Sequence, residues 1–221
     1  MAPTDIPGVA DINGDGALDL LTFRFGNANS IDFYLNTGTC GSLEFTRQER
    51  RWGNFEECGC NNFVFGQACP TSNSISEVKG PESINHIGGK TILLFDADND
   101  GDQDLITSDE TCETLYFMEN EGDLENAVMT QVQSYPFNEP AAFPFFPSAF
   151  LEDVDQDGLL DLLISTNADQ NLGNQINLTS HVRFYPNIGN SLNPDFNTSI
   201  PFIQDQMLDL GEQTYPAFAD I

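Results

Sequence analysis

Basic side chains are scarce in this sequence: 7 lysines and arginines stand against 35 aspartates and glutamates in 221 residues, a formal charge of −28. Such a surface repels a phosphate backbone and an anionic lipid face, so no nucleic-acid partner is expected and cations are the natural ones. Long hydrophobic runs are missing too. The longest candidate, Thr91 to Phe95, ends in a string of aspartates and falls far short of the roughly 20 apolar residues that span a bilayer, so no membrane insertion is expected. The first residues, Met1-Ala-Pro-Thr4, lack the basic start and apolar segment of a signal peptide, which leaves either a cytosolic protein or a piece of a longer precursor. Histidine occurs only twice, as His86 before a strand and His181 at the opening of Val182-Arg-Phe-Tyr185, each read as a surface or strand-edge residue. No grouping of nucleophile, base and orienting residue can be singled out, so the chain itself is not read as an enzyme.

What is present is enough to fold. Apolar residues make up 39% and glycine adds 18 more, which approaches the make-up of ordinary soluble domains and excludes wholesale disorder. The five cysteines, Cys40, Cys58, Cys60, Cys69 and Cys112, include a local cluster suited to disulfides in an oxidising compartment, with one thiol left over. Cys58-Gly-Cys60 followed eight residues later by Cys69 lacks a standard zinc spacing and is read as a disulfide-pinned loop rather than a zinc site.

One segment is written three times: Asp11-Ile-Asn-Gly-Asp-Gly-Ala-Leu-Asp19, Asp96-Ala-Asp-Asn-Asp-Gly-Asp-Gln-Asp104 and Asp153-Val-Asp-Gln-Asp-Gly-Leu-Leu-Asp161. An apolar pair follows each: Leu20-Leu21, Leu105-Ile106 and Leu162-Leu163. A second landmark recurs downstream as Phe33-Tyr-Leu-Asn36-Thr-Gly38, Phe117-Met-Glu-Asn120-Glu-Gly122 and Phe184-Tyr-Pro-Asn187-Ile-Gly189, so whole units repeat. The first unit carries extra material, placed at about residues 52–80. Tyr215 to Ile221 echoes Phe146 to Val154 and reads as the first strand of a fourth unit, which makes the chain part of a longer array.

Within a unit the pattern is of strand type. Leu18 to Phe25, Ile31 to Leu35, Thr91 to Phe95, Ala149 to Leu151 and Val182 to Tyr185 are rich in residues that suit a pleated surface, and Gly, Asn, Asp, Ser or Pro fills the gaps. The expected fold is all-β. About three four-stranded blades of a β-propeller, at 1–90, 91–145 and 146–213, with the leading strand of a fourth at 214–221, form part of a larger propeller; a β-sandwich with acidic turns is the alternative.

Hard cations such as calcium take six to eight oxygen ligands and tolerate irregular geometry. Positions 1, 3, 5 and 9 of the motif supply side-chain oxygens from Asp11, Asn13, Asp15 and Asp19, from Asp96, Asp98, Asp100 and Asp104, and from Asp153, Asp155, Asp157 and Asp161. Position 7 (Ala17, Asp102, Leu159) varies in chemistry, which fits a backbone-carbonyl ligand. The glycine at position 6 (Gly16, Gly101, Gly158) permits a sharp turn at positive φ. About three calcium ions are expected. Without metal the crowded carboxylates repel one another, so ion binding and local folding should be linked. The bland reading is that Asp, Asn and Gly simply favour turns, but a triple occurrence between apolar runs argues for metal. An EF-hand needs an acid at position 12, where Thr22, Thr107 and Ile164 stand.

These motifs resemble the FG-GAP/VCBS repeat family, the calcium-binding blades found in the propeller of integrin α subunits and in large secreted bacterial proteins. The resemblance covers nearly the whole chain. It implies an extracellular or cell-surface protein that serves as an adhesion, binding or scaffold module for a protein or carbohydrate ligand, in contact with the remaining blades of its parent or with another copy of the chain. The alternative is part of a carbohydrate-active, polysaccharide lyase-like enzyme, for which the few basic residues are unfavourable. Of the other features, the aromatic and proline-rich stretch Tyr135 to Pro147 is read as packing between units rather than as a docking face. Asn177-Leu-Thr179 and Asn197-Thr-Ser199 match short glycosylation acceptors.

Overall fold

Side chains alternate along extended backbone, so the apolar pair after each acidic motif puts one residue on either side of a strand. The computed structural model describes residues 5–24, 28–70, 89–143, 145–167 and 181–202, and in it this alternation stacks three sheets. The first sheet runs β1 (Gly8–Ala10), β2 (Asp19–Phe23), β3 (Ile31–Asn36) and β4 (Phe45–Glu49), in that spatial order. A 3-10 turn at Trp52–Asn54 leads into a two-stranded hairpin, β5 (Phe55–Gly59) and β6 (Asn62–Phe65). The second sheet holds β7 (Lys90–Phe95), β8 (Asp104–Asp109), β9 (Leu115–Met118) and β10 (Gln133–Tyr135). The third holds β11 (Pro147–Glu152), β12 (Asp161–Thr166), β13 (Val182–Tyr185) and β14 (Ile200–Pro201). All pairings within these sheets are antiparallel, none of the sheets closes on itself, and no α-helix occurs among the described residues. The all-β expectation holds. The strand expected at 214–221, His86 and the Asn177 acceptor lie outside the described residues.

Two apolar clusters lie between the sheets. Leu21, Phe23 and Ile31 of the first sheet pack with Ile92, Leu105 and Met118 of the second. Ile106, Leu115, Phe117 and Tyr135, from the opposite face of the second sheet, pack with Ala149, Leu162, Ile164 and Tyr185 of the third. Leu105 therefore faces back and Ile106 faces forward, which is why the motif needs both. Each such fully buried side chain contributes about 2 kcal/mol of hydrophobic stabilisation. Of the aromatic stretch, Tyr135 and Phe143 join the second cluster while Phe137 is 55% exposed, so packing accounts for most of it.

Of the extra material expected at about residues 52–80, the described part, up to residue 70, holds the β5–β6 hairpin, seated against the second sheet. Trp52 and Phe55 enter the first cluster. Lys90, buried on β7, pairs with Glu57 of β5 and with Asp109 of β8, and its Nζ lies 5.0 Å from the centre of the Phe23 ring. Disulfides join Cys58 to Cys69 and Cys60 to Cys112, the second tying the hairpin to the turn after β8. Cys40 is the free, exposed thiol that the odd count requires. Disulfides of this kind are typical of extracellular proteins.

Candidate metal centre

Each acidic motif forms the corner between the first two strands of its sheet. Ala10 pairs with Asp19, Phe95 with Asp104 and Glu152 with Asp161, so position 9 opens the second strand every time. The corner is curled by its own side chains in a repeated pattern. The position 1 carboxylate accepts the N–H of position 6, from Gly16 to Asp11 (2.8 Å), Gly101 to Asp96 (3.0 Å) and Gly158 to Asp153 (3.1 Å). Position 3 accepts from position 5, where the Asp15, Asp100 and Asp157 N–H groups donate to Asn13, Asp98 and Asp155. Position 5 accepts from position 7, where Ala17, Asp102 and Leu159 donate. The position 6 glycines have φ of 89°, 99° and 92°, as their place in the motif requires. Position 4 is left-handed as well, at Gly14, Asn99 and Gln156, which the sequence reading missed.

Position 9 is the most buried member: Asp19, Asp104 and Asp161 are all at most 2% exposed. One oxygen of each accepts the N–H of position 2 (Ile12, Ala97, Val154), and the other accepts the N–H of Asn36, Asn120 or Asn187, at 2.8 Å in every unit. The second landmark is thereby explained: its asparagine anchors the acidic corner from the far side. The asparagine Oδ1 in turn accepts the N–H of Gly38, Gly122 or Gly189. Sequence reasoning saw the landmark but not this role; the signal was the joint recurrence of the two motifs.

Two groups of three acids bring carboxylate oxygens within 4.8 Å of one another: Asp96, Asp98 and Asp100, and Asp153, Asp155 and Asp161. The first corner does not form such a group among the described residues, since position 3 is Asn13, whose Nδ2 donates to Asp15. Asp102 and Asp104 fall outside the Asp96 group, and Asp157 outside the Asp153 group. Ala17 and Leu159 offer only backbone carbonyls at their corners. A second oxygen of Asp98, Asp100, Asp155 and Asp157 has no protein donor among the described residues.

The electrostatics of the second corner fit a cation. Burial, together with the charges of Asp100 and Asp98, pushes the Asp102 carboxyl up to about 6, and one of its oxygens is buried without a hydrogen-bond partner. Burial pushes Asp104 up to about 7, against the two backbone N–H groups that favour its ionised form. At the exposed first corner the Ala17 N–H and Asn13 hold Asp15 below the ordinary carboxylate range. An all-oxygen donor set with crowded carboxylates suits a hard divalent ion and gives a soft or imidazole-seeking metal nothing to bind. Comparison with family models, with curated proteins and with solved structures finds no match for this chain.

Proposed function

We propose that the three acidic corners bind calcium and that the chain is a calcium-stabilised binding or scaffold module of a secreted or cell-surface protein, its sheets being consecutive blades of a propeller. The observation that carries this is the threefold recurrence of one corner, with the same hydrogen bonds from positions 5, 6 and 7 and the same buried anchor at position 9. The blade reading is supported by the four-strand meander of each sheet and by the first strands, since β1 and β11 both pack against β7. Calcium would be held by Asp96, Asp98 and Asp100 and by Asp153, Asp155 and Asp161, with the Asn13-bearing first corner the weakest site.

Thermal unfolding in calcium and in excess chelator tests the reading. At free calcium tenfold above Kd, each occupied corner is expected to add about 1.4 kcal/mol, because the ion binds only the folded loop. The increment should depend on pH. Folded, metal-free Asp102 and Asp104 hold protons up to about 6 and about 7, whereas an unfolded aspartate loses its proton near 3.8. Between these limits the folded state binds more protons than the unfolded one, so the metal-free protein loses stability as pH rises from about 4 through about 7. Calcium displaces those protons, so its increment should be larger at pH 8 than at pH 5. Equal midpoints with calcium and with chelator at pH 8 would overturn the proposal.

A further inference from the structure

Lysine occurs only at Lys79 and Lys90 in this chain, and Lys90 lies in the interior. Arg24, Arg47 and Arg50 gather along an open cleft on the first sheet, where solvent reaches them. Lys90 is 4% exposed, and it meets two carboxylates that are buried with it, Glu57 at 1% and Asp109 at 6%. Its Nζ lies 2.5 Å from Glu57 Oε2 and 3.0 Å from Asp109 Oδ2, and the Phe23 ring closes over it at 5.0 Å. Lys90 opens β7 directly opposite Asp109, the last residue of β8, and Glu57 reaches in from β5 of the hairpin. A buried ion pair recovers its lost hydration only when its remaining lone pairs also find donors. That condition fails here, since two carboxylates share one ammonium and Glu57 Oε1 is buried without a partner.

The two acids are not equivalent. Asp109 Oδ1 accepts both the N–H and the hydroxyl of Thr111, at 2.7 and 2.5 Å, so fixed donors hold its negative charge. Glu57 has Lys90 as its side-chain donor and no other among the described residues. Burial accordingly raises the Glu57 carboxyl above its ordinary range in spite of Lys90. At Asp109 burial is outweighed by Lys90 and Thr111, and the carboxyl lies below its ordinary range. Environments that push two carboxyls apart give them different roles: Glu57 takes up a proton, and Asp109 stays ionised. A proton passed from Lys90 to Glu57 leaves a neutral amine against a neutral carboxylic acid, with an ionised carboxylate beside the same nitrogen. Those are the three groups that an amide condensation needs.

We propose that Lys90 and Glu57 condense to an amide that fastens the β5–β6 hairpin to the second sheet, with Asp109 as the base. Lys90 Nζ adds to Glu57 Cδ, the Nζ–Cδ bond forms, and Asp109 takes a proton from the nitrogen. Asp109 then gives that proton to the departing Glu57 Oε2 hydroxyl, the Cδ–Oε2 bond breaks and one water leaves. Nothing is oxidised or reduced, and Asp109 ends ionised as it began. In open water the equilibrium favours hydrolysis. Here the reacting groups are held together, solvent is excluded, and the product removes two buried charges. The step uses no residue of the acidic corners and is independent of the calcium reading.

The test is the mass of the purified full chain, with disulfides reduced and cysteines alkylated. It is expected to fall short of the sequence mass by one water. Trypsin then cuts after Arg51, Lys79 and Arg183, and fragment 52–79 should remain joined to fragment 80–183 through Glu57 and Lys90. The full sequence mass would overturn the proposal. So would a lost water with fragment 52–79 free, because that loss belongs to an amide between Lys90 and Asp109 or to a ring closed at Asp15-Gly16, Asp100-Gly101 or Asp157-Gly158. Lys90→Arg keeps the positive charge without the amine and should show the full mass. Asp109→Asn keeps the shape without the base and should do the same. Water loss in Asp109→Asn as complete as in the parent would overturn the role of Asp109. The deciding measurements are made on the parent chain, so they hold whether or not a variant folds.

Discussion

Gly122→Ala is expected to lower the stability of the chain by about 3 kcal/mol, the upper range for forcing extra atoms into a packed site. A Cβ at this position would lie 2.1 Å from the Asn126 carbonyl oxygen and 2.9 Å from the Val128 nitrogen, both backbone atoms that cannot rotate aside. The same closeness recurs at Gly38, 2.3 Å from the Ser42 oxygen, and at Gly189, 2.2 Å from the Asn193 oxygen. The glycine of the second landmark is thus needed for close approach across a tight hairpin. Its loss would push away the loop whose asparagine, Asn120, holds Asp104 in the acidic corner. Gly101→Ala is the internal control. There φ is +99° and nothing lies within 4 Å of the new methyl, so only the backbone preference is lost, about 1 kcal/mol. Urea unfolding of the two variants, both in chelator, separates the mechanisms; equal losses would show that the hairpin yields and that crowding is not why glycine stands there.

Those two glycines mark how far the sequence could be read. The acidic corners were legible because Asp, Asn and Gly at fixed spacing constrain a short loop by themselves, and the structure puts position 9 at the start of β2, β8 and β12 as the spacing implies. The anchoring role of Asn36, Asn120 and Asn187 was not legible, because the bond from each asparagine N–H to the ninth aspartate joins residues 17, 16 and 26 positions apart. The variable interval hides the contact, and only strand pairing closes it. Arg24, Arg47 and Arg50 were passed over for a similar reason. Arg24 follows β2 whereas Arg47 and Arg50 lie on and just beyond β4, and only the register of β2, β3 and β4 gathers them on one face. Partner choice among the cysteines was also beyond local reading, since Cys112 lies far along the chain from the cluster that it joins.

That long-range bridge carries the other large effect. Replacing Cys60 and Cys112 together by alanine is expected to cost about 4 kcal/mol, because a cross-link spanning 52 residues removes much of the freedom of the unfolded chain. The Cys58 and Cys69 pair spans 11 residues, and its removal should cost about 3 kcal/mol on the same reasoning. The two losses should differ in kind as well. Without the local bridge the β5–β6 hairpin is still tied to the second sheet through Cys112. Without the long bridge it is held by Trp52, Phe55 and Phe63 packed in and against the core, by the Glu57 N–H donated to the Asn29 carbonyl, and by the Glu57 pairing with Lys90, in which burial already raises the Glu57 carboxyl above its ordinary range. Guanidinium unfolding ranks the two double variants, and limited proteolysis shows whether the hairpin opens ahead of the sheets when Cys60 and Cys112 are gone. A smaller loss for the long bridge than for the short one would mean that packing around Trp52 and Lys90 already fixes the hairpin, and that the covalent tie adds little to what the buried contacts hold.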